Sequence, residues 1–439
     1  MKKIDFQKIF CFISFLFILS CCIFYGTRFI KLYLEEKKVE IIEKNTLVKV
    51  IRDNNNKSDN FKEINGNEYF INNSDNNYIL YSNLLWRIVK INEDNSITVI
   101  SDSSLTSLAY GEYLDYLNSY AFHWLNKSDR EYSGILEKHL NKVETYLQKT
   151  TTCLDTIDTL DNSECKTTNK ENYISLLSTT DFVNIGNKES YVVNNEYFYL
   201  NNSNSENEIW YVDTEGKITT NKGTDVIGIK PVITIKSNID YISGTGTKTD
   251  PYKIENENGL FGSYVKLDNQ TWRIYQVNET EVRLVLNDYL KVNNENLKYI
   301  YSNINSYHND TKNGSIAYYL NKTFLNSLSY KDKIKEVKWT NGYYGINSNY
   351  DYISALNNTI DSKIALISIG DIRLNNELDN YFTLTGANDK SSMVYYIDNS
   401  QKLFTKSIQT KVNVVPTISI DKELLTKGNG TINSPYEME

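Results

Sequence analysis

The chain has 439 residues, with 47 Lys and Arg against 55 Asp and Glu, a net charge of −8, and 40% hydrophobic residues. That length accommodates two to three domains, each able to bury a core of its own. A mixed, mildly acidic composition without a basic stripe argues against nucleic acid as a partner.

Reading from the N-terminus, Ile9 to Tyr25 is the one long run without a charge, at the short end of what crosses a bilayer as a helix. Lys2, Lys3 and Lys8 precede it with only Asp5 in opposition, while Glu35, Glu36, Glu40 and Glu43 dilute the cations that follow. The positive-inside rule then places the N-terminus in the cytoplasm. The expectation is a single-pass cell-membrane protein with a cytoplasmic stub (1–8), a transmembrane helix (9–27), a stalk (28–60) and an extracellular C-terminal part. Two alternatives stay open. A cleaved signal peptide would want a small-residue site that Tyr25-Gly26-Thr27-Arg28 does not offer, and Ile18-Leu19-Ser20-Cys21 loosely resembles a lipobox.

Beyond the stalk the chain repeats itself. Leu85-Trp86-Arg87-Ile88 returns as Thr271-Trp272-Arg273-Ile274, an offset of 186. Pro231-Val232-Ile233-Thr234-Ile235 answers to Pro416-Thr417-Ile418-Ser419-Ile420, and Gly244-Thr245-Gly246-Thr247 to Gly428-Asn429-Gly430-Thr431. A period of this size indicates two tandem domains, over 61–257 and 258–439, rather than a solenoid. The first opens with strands over Tyr78–Tyr81, Leu84–Ile91 and Ser96–Ser101, and the second with Tyr264–Leu267, Thr271–Val277 and Glu281–Leu286. Ile135, Leu136, Leu140, Val143, Tyr146 and Leu147 fall at helical spacing and predict an amphipathic helix on a sheet. Ile174 to Asp181 and Ile364 to Asp371 each predict a buried strand leading into a capped turn. The Asn-rich stretch from Asn194 to Glu208 reads as a surface loop. Trp86, Trp272, Pro231 and Pro416, at matching positions in strand patterns, are expected in the core. The short link from Glu255 to Gly259 predicts two domains set end to end as a semi-rigid rod.

Cys153 and Cys165 are the only cysteines beyond the apolar run. A disulfide between them would close a short loop and contribute roughly 3 kcal/mol. Metal or redox chemistry needs a tighter motif with further ligands. None of His123, His139 and His308 sits at metal-binding spacing with another His or Cys, and His139 reads as a helix-surface residue. Asp155, Asp158 and Asp161 lack the alternating ligands and turn glycine of a calcium loop. With no nucleophile elbow, phosphate-cradling loop or defensible carboxylate pair, the sequence assigns no catalytic residue, metal or cofactor. Aromatics outside the shared pattern, Trp339, Tyr343 and Tyr344, are the candidate ligand contacts.

The ordered motifs Trp-Arg-Ile, Ile-Ser-Leu-Leu-Ser, Pro-Val-Ile and Gly-x-Gly-Thr with Pro-Tyr resemble a family of uncharacterised surface-protein modules of Gram-positive gut bacteria. The glycine and hydrophobic residue before the closing strand resemble the C-type-lectin-like fold, including its formylglycine-generating branch. That resemblance implies an α+β fold made of two C-type-lectin-like repeats. It does not imply the oxidase, which depends on cysteines late in the domain, where this chain has none after Cys165. The functional expectation is a non-enzymatic adhesion or recognition protein with a polysaccharide or surface-protein ligand. An envelope spacer without a pocket and an enzyme acting on cell-wall polymers are the rival readings.

Overall fold

A computed structural model describes residues 14, 19–33, 46–55, 57–71, 75–111, 114–126, 135–160, 165–168, 172–186, 190–256, 259–302, 314–340, 359–375, 377–387 and 392–438. Strand accounts for 37% and helix for 19%, so the fold is mostly β and the expected α+β layout of lectin-like repeats is corrected. The predicted amphipathic helix shows why. Its described part breaks into Ile135–His139 and Val143–Tyr146, separated by Lys142 in the left-handed region (φ 46°), and Leu147–Gln148 then joins a sheet. A non-glycine residue at positive φ ends helical propagation, and Leu147, in helical phase by sequence, is buried as a strand residue.

The membrane helix is corrected as well. Residues 19–33 are helical, but Arg28 and Lys31 lie within them. Among the described residues no helix is long and apolar enough to cross a membrane. The single-pass anchor over 9–27, and the localisation built on it, therefore lose their basis; residues 9–13 and 15–18 lie outside the described residues. Part of the expected stalk is packed. Helix Leu47–Asn54 buries Leu47, Val48 and Ile51, Leu47 donates its N–H to the Ile239 carbonyl (2.9 Å), and Arg52 pairs with Glu68 (2.9 Å).

The repeat is visible strand by strand. In the first copy Tyr252–Lys253 runs parallel to Tyr78–Tyr81, followed by antiparallel Leu84–Ile91, Ile97–Ser101, Val232–Ile235 and Ile174–Ser175. In the second, Tyr436–Met438 runs parallel to Tyr264–Leu267, followed by Gln270–Val277, Glu281–Leu286, Pro416–Asp421 and Ile364–Leu366. The register shift between Ile88 and Lys90 recurs between Ile274 and Gln276. A second sheet, Thr106–Leu108, Ile227–Ile229, Phe198–Ser203, Ile209–Val212 and Ile218–Asn221, is matched by Lys298–Tyr299, Val412–Asn413, Tyr381–Gly386, Met393–Ile397 and Phe404–Ser407. Phe198–Ser203 lies inside the stretch read as a surface loop and is buried for most of its length. Its asparagines work there: the Asn202 side-chain oxygen accepts from the Thr179 N–H (3.0 Å).

Side-chain clamps repeat too. Asn126 donates to the Ile174 carbonyl (2.8 Å) and Asn321 to the Ile364 carbonyl (2.9 Å). Gly244 and Gly428 have φ of +100° and +84°, and a Cβ on either would come within 2.0 Å of the carbonyl oxygen of Pro251 or Pro435, which explains why both closing motifs begin with glycine. Trp86 and Trp272 are fully buried, and Pro231 and Pro416 are buried as well.

The two copies share one hydrophobic core and interlock through the backbone, unlike a rod of separate units. Arg373 N–H donates to Leu105 (2.7 Å), Tyr197 N–H to Ser400 (2.8 Å) and Leu403 N–H to Val226 (2.8 Å). Trp124 donates its indole N–H to Gly370 (2.7 Å). Near the link, Asn83 donates to Phe261 (2.8 Å), and the His139 ring stacks on Phe261 with centroids 5.2 Å apart. Burial there lowers the His139 pKa to about 4, so it is an inter-repeat packing residue rather than a helix-surface one.

Candidate functional site

An open cleft of about 830 Å³ lies on the first repeat. Its floor is the main sheet, where Lys90, Thr98 and Thr234 come from three adjacent strands. The bulge at Val89 re-aims the strand just before Lys90. One end is made by Tyr69 and by helix Thr179–Asn184, whose N-cap Ser178 accepts from the Asp181 N–H through its hydroxyl. The far wall is the chain from Gln148 to Cys153 and the segment at Cys165 and Thr168.

At that end of the cleft three side chains are locked together. Lys90 Nζ donates to Asp181 Oδ1 (2.7 Å), and the Tyr69 hydroxyl donates to the same oxygen (2.8 Å). Burial opposes the Asp181 charge, but the Lys90 ammonium and the hydrogen bonds outweigh it and hold the carboxyl below its ordinary range. Burial likewise opposes the Lys90 charge, and Asp181 more than compensates, raising that pKa. Tyr69 is pushed up to about 12 by burial and by the Asp181 carboxylate. All three shifts lead away from neutrality, whereas acid–base catalysis needs a group poised near the working pH.

Cys153 and Cys165 form the expected disulfide, with Cα atoms 5.6 Å apart, and both line the cleft. Cys153, Asp155 and Cys165 bring three residues of metal-ligating type together. The sulfurs, however, are bonded to each other, and the Asp155 carboxylate accepts from the N–H groups of Lys166 (2.6 Å) and Thr167 (2.7 Å). Asp158 accepts from the Ser205 N–H (2.7 Å). Asp161 and His308 lie outside the described residues. A second buried charge cluster sits away from the cleft: Lys230, fully buried, donates to the carbonyls of Asp102 (2.9 Å) and Val192 (2.7 Å) and stands 3.9 Å from Glu196. It ties loops together.

The matching place in the second repeat carries larger side chains. Thr98 pairs with Thr234 and Arg283 with Ser419, so Arg283 occupies the Thr98 position. Gln148 stands opposite Thr234, while the Lys335 N–H donates to the Ser419 carbonyl (2.9 Å). Counting on from these two residues, Trp339 falls at the position of Thr152. The Arg283 guanidinium lies over the Trp339 ring, 4.7 Å from its centroid. Trp339 itself is 2% exposed and donates its indole N–H to Ser362 (2.8 Å). The candidate contact Trp339 is thus a packing residue within the fold; Tyr343 and Tyr344 lie outside the described residues.

Sequence reasoning missed Tyr69, Lys90 and Asp181. The Ser178-Thr179-Thr180-Asp181 run carried one usable signal, since a hydroxyl residue followed three positions later by an acid is a helix-start pattern. Another was the size mismatch of Thr98 with Arg283 and of Thr152 with Trp339 in otherwise matched copies. Comparison with protein-family models, curated proteins and solved structures finds no match to this chain.

Proposed function

We propose that this is a non-catalytic recognition protein whose first repeat holds a ligand in the cleft and whose second repeat is its structural partner. The observation that carries the reading is the contrast at one position: Thr98 and Thr152 leave open what Arg283 and Trp339 close. A volume of about 830 Å³ lies within the roughly 300–1,000 Å³ typical of small-ligand sites. A spacer without a pocket accounts poorly for that opening. An enzyme acting on wall polymers is disfavoured by the chemistry: glycoside hydrolysis needs a carboxyl pair with one raised pKa, and Asp181 is held low by Lys90.

The test is calorimetric titration of the intact protein against glycans and matrix proteins, alongside a Thr98→Arg/Thr152→Trp variant that copies the filler of the second repeat. Saturable binding by the wild type and its loss in a variant with unchanged circular dichroism is the expected outcome. Equal binding by the filled variant would refute the cleft as the site.

A further inference from the structure

Between strands Ile364–Leu366 and Tyr381–Gly386 the second repeat carries a loop over 367–375 with no helix or strand of its own. Much of the interlock runs through it. Gly370, at a φ of +91°, turns its carbonyl to the Trp124 indole N–H (2.7 Å). The Arg373 N–H donates to the Leu105 carbonyl (2.7 Å), and the Arg373 guanidinium donates to the Ser107 hydroxyl (2.5 Å). Within its own repeat the Ile369 N–H donates to the Thr385 hydroxyl (3.1 Å). Amides held by side chains and by a neighbouring repeat, outside any strand, open at lower cost than those of core strands.

Asp371 lies in the middle of these contacts and is 3% exposed. One of its oxygens accepts from the Ser368 N–H (2.7 Å), and the other has no hydrogen-bond partner. A buried carboxylate in that position keeps a charge that the protein solvates only on one side, and a proton removes it. The charges around it do not replace the missing partner. Arg283, from strand Glu281–Leu286, acts on Asp371 at a distance while its guanidinium donates to the Lys338 carbonyl (2.9 Å) and covers the Trp339 ring. Strand Val337–Thr340 brings Lys338, which is exposed, and strand Tyr381–Gly386 brings Tyr381, raised by burial to about 12. From the first repeat, helix Tyr120–Asn126 brings Tyr120 and His123, and strand Thr106–Leu108 no titratable group. On the loop itself Arg373 is turned to Ser107 and Gln401, and Glu377 beyond its end is exposed.

We infer that Asp371 is a proton-controlled latch between the repeats: protonated, it keeps the loop over 367–375 seated on Trp124, Leu105 and Ser107, and ionised, it promotes the release of that loop. Burial pushes the seated carboxyl up to about 6, whereas a released one meets water and returns to about 3.9. The seated state therefore binds the proton more tightly. Seating is firmest below about pH 4 and loosens as pH rises through 6, and the opening equilibrium grows roughly fiftyfold between pH 4 and 8. The first repeat has no such latch at the matching place, since Lys90 holds Asp181 ionised.

The experiment is hydrogen–deuterium exchange of the intact protein from pH 4 to 8, with and without low urea, resolved to the Ile369 and Arg373 amides and to strand Glu281–Leu286. Each rate is divided by the intrinsic chemical rate at that pH. The wild type is compared with Asp371→Asn, which keeps the shape and cannot ionise. The expected result is a roughly fiftyfold loss of protection at Ile369 and Arg373 between pH 4 and 8 in the wild type, and none in Asp371→Asn. Low urea should hardly change the loop rates, because releasing a loop exposes little surface, while it speeds exchange in the strand. Level protection across the range in the wild type, or a loss that persists in Asp371→Asn, would overturn the latch. So would a loss at Ile369 without one at Arg373, whose amide reports the contact with the first repeat. Loop exchange that rises with urea as steeply as that of the strand would also overturn it, since the whole fold and not the loop would then be opening.

Discussion

Each repeat places an aspartate after the same buried strand, Asp181 in the first and Asp371 in the second, and surrounds it differently. Asp181 meets Lys90 from the neighbouring strand. Asp371 accepts from the Ser368 N–H (2.7 Å) through one oxygen, while the other has no hydrogen-bond partner. The position of Lys90 is taken by Gln276, displaced by the same bulge in the same strand pair. Burial consequently drives Asp371 up to about 6, only partly opposed by the Ser368 hydrogen bond and Arg283, whereas Asp181 is held low. One scaffold thus supports an ionised, paired carboxylate beside an open cleft and a buried, half-satisfied one near Arg283. Duplication preserved the backbone and let the side chains of one face diverge.

The largest effect should come from emptying the filled repeat. Trp339→Ala removes a buried indole and the platform under Arg283, and is expected to cost about 4 kcal/mol in denaturant unfolding; a loss under about 1 kcal/mol would mean the second repeat is not held closed by this pair. Next is the charge pair. Lys90→Met leaves Asp181 buried and unpaired and should destabilise by about 3 kcal/mol, while Gln276→Met at the matching position should stay within about 1 kcal/mol. Equal effects would dissolve the contrast.

Reduction of Cys153–Cys165 should lower stability by about 3 kcal/mol or somewhat less and weaken ligand binding, since both residues form the cleft wall. Calorimetry with and without a dithiol reductant reads both effects, and unchanged binding would separate the disulfide from the site. The smallest effect is the pH dependence. The folded pKa of Asp371, about 6, lies above its unfolded value of about 3.9. The native state therefore binds the extra proton, and stability falls by roughly 2 to 3 kcal/mol as pH rises from about 4 through 6. Asp181, with its pKa lowered, acts oppositely, contributing stability above its unfolded value that is lost as pH falls through the folded one. Asp371→Asn should remove the decline between pH 4 and 6, as thermal melts across that range would show; an unchanged decline would assign it to another group.

The strands of the repeat were legible because Trp-Arg-Ile, Pro-Val-Ile and Gly-x-Gly-Thr mark places where packing or positive φ restricts the residue. Trp86 and Trp272 fill matching places in the shared core, and Gly244 and Gly428 meet a carbonyl that leaves no room for a Cβ. The balance of helix and strand was not legible, because the backbone reversal at Lys142 has no mark in the hydrophobic period. Nor was the interlock, since Arg373 reaches across to Ser107 (2.5 Å) from far along the chain. The disulfide was readable from cysteine count alone. The cleft was not, because threonine and asparagine look the same in a solvated loop as on a binding wall, and only the bulky residues at matching places in the other copy reveal the space.

Hydrogen–deuterium exchange of the intact protein, with and without the tightest-binding of the titrated glycans and matrix proteins, tests the central claim most directly. The account predicts slowed exchange around 148–153 and 178–184 in the first repeat and none at the matching 335–340 and 368–374 in the second. Protection confined to the second repeat, or spread equally over both, would contradict it.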